Sequence, residues 1–274
     1  MNAAVAELAK LPAFVRRDLR IMLSYRMAAF TGLVGIAAQA IAFSFIGKLI
    51  NPAQLPSFGS THATYMQFVT IGIALNMIVA LMLHQLAMAI RTEQLMGTLE
   101  SLLLTPTKIT TIQAGSAAFE LLYVPLRMGV FVTVIGFAFG LHFHAGGILA
   151  ALVILVGFLP FLWGLGLLSA GAILTFRRGA GAVAAGGTAL GLASGAFFPL
   201  SVLPPWLHTI ANANPLAIAI HALREALIGG TGLASVGSDL LELAPLSILA
   251  LGAGILAFRL ALARERRNGT LGLY

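Results

Sequence analysis

Residues 128–176 read MGVFVTVIGFAFGLHFHAGGILAALVILVGFLPFLWGLGLLSAGAILTF, forty-nine positions without a formal charge, bounded by Arg127 and Arg177. One membrane-crossing helix needs about 20 apolar residues, so the stretch is long enough for two. Gly146-Gly147 supplies the turn between them. A second uncharged run, forty-five residues long, separates Arg178 from Arg224. Across all 274 residues, 59% are hydrophobic and 9% are charged, against about 45–50% and 25% in soluble domains. Sixteen Lys and Arg with nine Asp and Glu, clustered as they are, cannot coat a soluble fold. The composition specifies an all-α polytopic membrane protein. It excludes a soluble enzyme, a nucleic-acid reader and a disordered tail.

Working outward from that stretch gives six expected spans within one transmembrane domain covering residues 1–274: about 27–47, 65–90, 117–140, 148–175, 181–198 and 243–263. Residues 1–26 carry Lys10, Arg16, Arg17, Arg20 and Arg26 with Leu8, Leu11, Phe14, Val15 and Leu19 between them. Helical spacing gathers the apolar set on one side, the pattern of a helix lying in the membrane interface. This leader is too long for a secretory signal, and cutting at Ala38-Gln39-Ala40 would remove a full span. Asn51-Pro52, Pro56, Pro106 and Arg177-Arg178-Gly179 mark breaks.

The net charge of +7 speaks first to orientation and not to a nucleic-acid partner. With the N-terminus inside, Arg91, Lys108, Arg177, Arg178, Arg264, Arg266 and Arg267 all fall on the cytoplasmic side. The outer segments then keep only Lys48 and Arg224. Both termini inside, in a cytoplasmic membrane, is the expected topology. The absence of cysteine excludes disulfides and thiolate metal sites.

Chemistry-bearing residues are sparse. A phosphate-cradling loop needs G-x-x-x-x-G-K-[ST], and Gly47-Lys48 is followed by Leu49, so the chain has no such route to ATP. Gly191-Leu-Ala-Ser194-Gly195 has the look of a serine-nucleophile motif, but the spans supply no Asp and the last span no His to activate it. His142 and His144 stand two apart with no carboxylate nearby, short of the three or four ligands a metal requires, so no metal site is expected. Gly187, Gly191 and Gly195 repeat at intervals of four, a face that lets another helix approach closely, whether from the same subunit or from a second. Glu120 and Arg127 are two turns apart on one helix face. Charges at membrane depth are functional candidates, and the alternative is an interfacial carboxylate and a packed arginine.

The segment Arg91-Thr-Glu93-Gln-Leu-Met-Gly97-Thr98-Leu99-Glu100-Ser-Leu-Leu-Leu-Thr105-Pro106 follows the second span on the cytoplasmic side, its leucines striped along one face. By composition alone it is a passive interfacial helix. It resembles, however, the G-T-L-E-x-L-L-x-T-P segment of ABC-2 type transporter permeases, the membrane subunits of bacterial exporters such as the daunorubicin, nodulation-factor and polysaccharide systems. A second stretch carries the same resemblance. It runs through Gly195-Ala-Phe197-Phe198-Pro199 and Leu203-Pro204-Pro205-Trp206, then Asn214-Pro215-Leu216 and Leu223-Arg224-Glu225.

The resemblance implies two six-span subunits forming a path, each docked on a separate cytoplasmic ABC ATPase. ATP and Mg would bind that partner, and this chain would hold no cofactor and no catalytic residue. Arg91, Glu93, Gly97, Thr98, Leu99 and Glu100 would lie in a coupling helix over 91–105. Residues 199–223 would be re-entrant helices, with Phe197, Phe198, Pro199, Trp206, Pro215, Arg224 and Glu225 along the path or its gate. Prolines at 199, 204, 205 and 215 forbid one continuous helix there, and broken backbone at membrane depth must be buried or line a cavity. Export is implied by the family. Seventeen Phe against four Tyr lean towards a lipidic or amphipathic substrate over a bare polysaccharide, and the resemblance to exporters extends the expected classes to drug-like molecules and lipid-linked glycans. A secondary transporter with broken helices and a non-transporting membrane subunit are the rival readings.

Overall fold

Apolar sequence of this kind folds as helix because every backbone amide must find its partner within the segment once water is gone. The computed structural model describes residues 11–24, 26–49, 55–58, 61–95, 129, 131–176, 179–202, 204–233 and 236–268. The helices are α1 (Leu11–Ser24), α2 (Arg26–Leu49), α3 (Tyr65–Leu95), α4 (residues 131–139), α5 (Ile148–Thr175), α6 (Gly179–Leu192), α7 (Pro205–Asn212), α8 (Pro215–Leu227) and α9 (Gly237–Asn268). Short 3-10 turns, Ala145–Gly147 and Leu200–Val202, precede α5 and α7. A two-residue antiparallel ladder pairs β1 (Ser57–Phe58) with β2 (Thr61–His62), Ser57 opposite His62 and Phe58 opposite Thr61.

Among the described residues, three stretches are long and apolar enough to cross a membrane: Tyr65–His84, Ala145–Thr175 and Gly237–Arg264. They differ in burial. The most apolar window of α3 is 67% buried and that of α9 only 22%, so α3 is the central helix and α9 a peripheral one. Leu241, Ile248, Leu249, Leu256 and Leu260 form an exposed stripe along α9, and Ile148, Leu152, Val156 and Leu159 form another along α5. Outward-facing apolar stripes of this length suit a lipid solvent. Phe68, Leu75, Phe158, Ile154, Leu216, Ile220 and Leu223 are fully buried between α3, α5 and α8.

Helices associate in lipid through close packing of small residues, and glycines mark each tight crossing. A Cβ on Gly164 of α5 would strike the backbone of Ala250 on α9, and one on Gly254 would strike Gly164 in return. Gly147 lies against the Ala226 carbonyl and Gly72 against Ala196. Ser169 of α5 donates its hydroxyl to the Leu83 carbonyl of α3 at 2.9 Å, a polar tie between two otherwise apolar helices.

The helix bounds differ from the expected ones in several places. The helix expected over 181–198 ends at Leu192. Ser194 bonds back to the Gly191 carbonyl at 2.6 Å, and Gly195 takes φ +68°, which turns the chain. The helix expected over 65–90 continues to Leu95, so Arg91 and Glu93 extend α3 and do not open a separate helix. The last helix begins at Gly237, six residues before 243. Within 199–223 the chain forms two helices, and the second runs on to Leu227. Of the 117–140 span, the helix over 131–139 is described, and residues 1–10 of the N-terminal segment lie outside the described residues.

Candidate functional site

The residues after α6 build a corner that ties four elements together. Asn214 caps α8: its Oδ1 accepts from the Leu216 amide at 3.0 Å, while its Nδ2 donates to the Leu190 carbonyl at the end of α6, 3.1 Å away. Pro205 and Pro215 each stand in the first turn of their helix, where a missing amide costs nothing. Tyr65, at the start of α3, donates its hydroxyl to the Phe197 carbonyl at 3.1 Å. The Phe197 ring stacks on Phe43 of α2, centroids 5.9 Å apart and planes 13° from parallel.

Arg224 is the centre of that corner. It is 5% exposed. Its Nε and Nη2 donate to the Phe68 carbonyl at 3.1 and 2.9 Å, and Nη2 also reaches the carbonyls of Gly195 at 2.9 Å and Ala196 at 3.3 Å. The guanidinium lies over the Phe68 ring, 3.4 Å from its centroid. One side chain of α8 therefore holds α3 and the 193–199 turn together. Arg224, expected along the path or its gate, is spent on three backbone carbonyls.

Beside the corner, α3, α6 and the end of α5 enclose a cleft of about 530 Å³. Asn76, Ala80, Leu83 and His84 line it from α3, Ile173 from α5, and Ala180, Val183, Ala184, Gly187, Thr188 and Leu192 from α6, with Phe197 at the corner. A largely apolar cleft of this size with a few polar groups is the usual form of a small-molecule site. Thr188 bonds to its own helix at Ala184, 2.9 Å away. Asn76 and His84 were not singled out in the sequence. The signal was available, because both are polar residues set in the apolar run of α3, where polar groups are costly.

The glycine ladder splits between these two features. Gly187 lies against Leu83 and Gly191 against Asn76, both on α3 of the same chain. Gly195 belongs to the turn, packed against Leu200. Phe198 is half-buried, Pro199 buried and Pro215 half-buried. The backbone of Trp206 lies in the first turn of α7. The Glu225 carboxylate lies near the side chains of His221 and Asp239. The expected coupling residues divide: Arg91 and Glu93 sit in the last turns of α3, while Gly97, Thr98, Leu99 and Glu100 lie outside the described residues, as do Glu120 and Arg127.

A family model described as ABC-2 type transporter matches residues 13–228, which takes in most of α1, the cleft, the corner and all of α8. No curated protein matches the chain. The match covers most of the 274 residues and agrees with a helical bundle whose outer stripes are apolar. The chain belongs to the ABC-2 type transporter family, as a membrane component that works with an ABC ATPase.

Proposed function

We propose that this chain is the permease subunit of an ATP-driven exporter, pairing with a second copy to form the path and seating two separate ATPase subunits. The family match over residues 13–228 carries the reading. In this reading six spans cross the cytoplasmic membrane with both termini inside, α1 lies in the inner interface, and α7 and α8 enter from outside as re-entrant helices.

One physical feature supports the mechanism. α3 is continuous from Tyr65 to Leu95, about 46 Å at 1.5 Å per residue. Its Tyr65 end is held by Arg224 at Phe68, its middle forms the cleft at Asn76 and His84, and in this reading its Leu95 end faces the cytoplasm and leads into the proposed coupling segment. Closure of the ATPase pair pushes the coupling segment, and a single helix delivers that push to cleft and corner. The substrate is amphipathic, lipidic, drug-like or a lipid-linked glycan: the cleft offers an apolar wall with Asn76, His84 and Thr188 set in it.

The test is reconstitution with the cognate ATPase in vesicles. Alone, the chain is expected to hydrolyse no ATP. With the ATPase, hydrolysis and outward movement of substrate should appear together. Robust hydrolysis by the isolated chain, or ion-gradient-driven uptake without ATP, would overturn the assignment.

Charge reversal probes the coupling segment in the same system. With both carboxylates read as interfacial, Glu93→Lys or Glu100→Lys should leave the membrane domain folded, since surface charge changes fall within about 0.5 kcal/mol. Either substitution should lower ATPase docking or substrate-stimulated hydrolysis at least about tenfold, because close interfacial charge pairs carry about 1.5–7 kcal/mol. Parent-like export by both variants would reduce 91–105 to an interfacial helix.

A further inference from the structure

We propose that His221, Glu225 and Asp239 form a site for a divalent transition-metal ion of the zinc class, bridging α8 to the first turn of α9. His221 and Glu225 are four apart on α8, which places both on one helix face. Asp239 comes from the first turn of α9. The ligand atoms of all three lie within 4.8 Å of one another. Tetrahedral zinc with nitrogen and oxygen ligands at about 2.0–2.1 Å sets them about 3.4 Å apart, so modest side-chain rotation closes the set.

Charge and surroundings point to a cation. Glu225 and Asp239 are half-buried, and among the described residues neither has a hydrogen bond or an ion pair to its carboxylate. Two negative charges act on Asp239, those of Glu225 and of Glu242 one turn further along α9, and His221 is the one opposing group. The nearest arginine in sequence, Arg224, is committed to the carbonyls of Phe68, Gly195 and Ala196. Two carboxylates beside a membrane are neutralised by one divalent ion. An imidazole among the ligands favours zinc-class metals over calcium or magnesium, which take oxygen. The His221 side chain is exposed, and its ring makes an edge-on contact with Phe58 of β1, centroids 6.0 Å apart.

The consequence is mechanical. α8 is pinned to α3 through Arg224, and α9 packs along α5. A bound ion would add one more tie between α8 and the start of α9, which already pack against each other. This site is independent of the transport reading.

The test is Zn2+ titration of the full-length protein in detergent, purified through a histidine-free tag, with a competing chromophoric chelator and the thermal midpoint as readouts. One Zn2+ per chain is expected, with a midpoint that rises on binding. His221→Ala, Glu225→Gln and Asp239→Asn should each weaken binding at least about tenfold, since losing a group that merely orients a ligand already costs 10–100-fold. His142→Ala and His208→Ala should bind as the parent does. Should His221→Ala fail to fold, the near-isosteric Glu225→Gln and Asp239→Asn carry the test. Substoichiometric binding by the parent, or unchanged affinity in both carboxylate variants, would overturn the proposal.

Discussion

Arg224→Met is expected to unfold on the order of 10 °C below the parent in detergent, a loss of about 3–5 kcal/mol converted at about 2–4 °C per kcal/mol. Methionine replaces the apolar stem and none of the donors. The carbonyls of Gly195 and Ala196 lie in a turn, outside any helical ladder, and Arg224 is their partner. Buried acceptors left unsatisfied cost about 1–3 kcal/mol each, and the stacking on Phe68 is lost as well. Arg224→Lys should recover less than half of the deficit. An ammonium is a point donor that cannot span Phe68 and the turn together or stack as a plane. The pair of variants separates two roles. A residue that merely lines the path would leave the midpoint within about 2 °C and change transport alone, and that outcome would sink the clamp.

A comparable loss should follow from Gly164→Val. Valine places a Cβ against the Ala250 carbonyl and the Leu251 amide of α9. Both partners are backbone, so no rotamer change relieves the contact and the two helices must move apart. Overpacking costs about 1–3 kcal/mol where side chains can adjust, and about 3 kcal/mol or more is expected here. Gly254 faces Gly164 from the other side, so separation opens a gap along the whole α5–α9 crossing, where packing is the main source of helix association. Gly181→Ala and Gly186→Ala are the controls: both glycines are exposed on α6 with nothing within 4 Å of the added carbon. Those variants should be neutral or gain up to about 1 kcal/mol from helix propensity. If Gly164→Val and Gly186→Ala unfold at the same temperature, the close crossing of α5 and α9 does not exist in the protein.

Solvent class and the apolar segments were legible in the sequence, because both depend on one-dimensional quantities: the length of uncharged runs and the turn residues between them. The stretch from Ile148 to Thr175 is helical over the residues its boundaries suggested, since Gly146-Gly147 and Arg177-Arg178 punctuate it on both sides. The family was legible too, in the two proline- and glycine-marked segments that the match over 13–228 includes in its range. What a residue touches was not legible. Gly187 and Gly191 read equally well as an intersubunit or intrasubunit face, and only the packing of α6 on Leu83 and Asn76 decided it. Arg224 is expected along the path or its gate by the family resemblance of the Leu223-Arg224-Glu225 stretch. Its acceptors, Phe68, Gly195 and Ala196, lie 156, 29 and 28 positions away, and carbonyls carry no sequence signature. The end of α6 at Leu192 hid for a similar reason, since its caps come from Ser194 and the distant Asn214. His221, Glu225 and Asp239 are unremarkable in a string of letters, and they meet because α8 and α9 fold back on each other. Apolar periodicity sets which segments leave water. Contacts between distant segments follow only once those helices have packed.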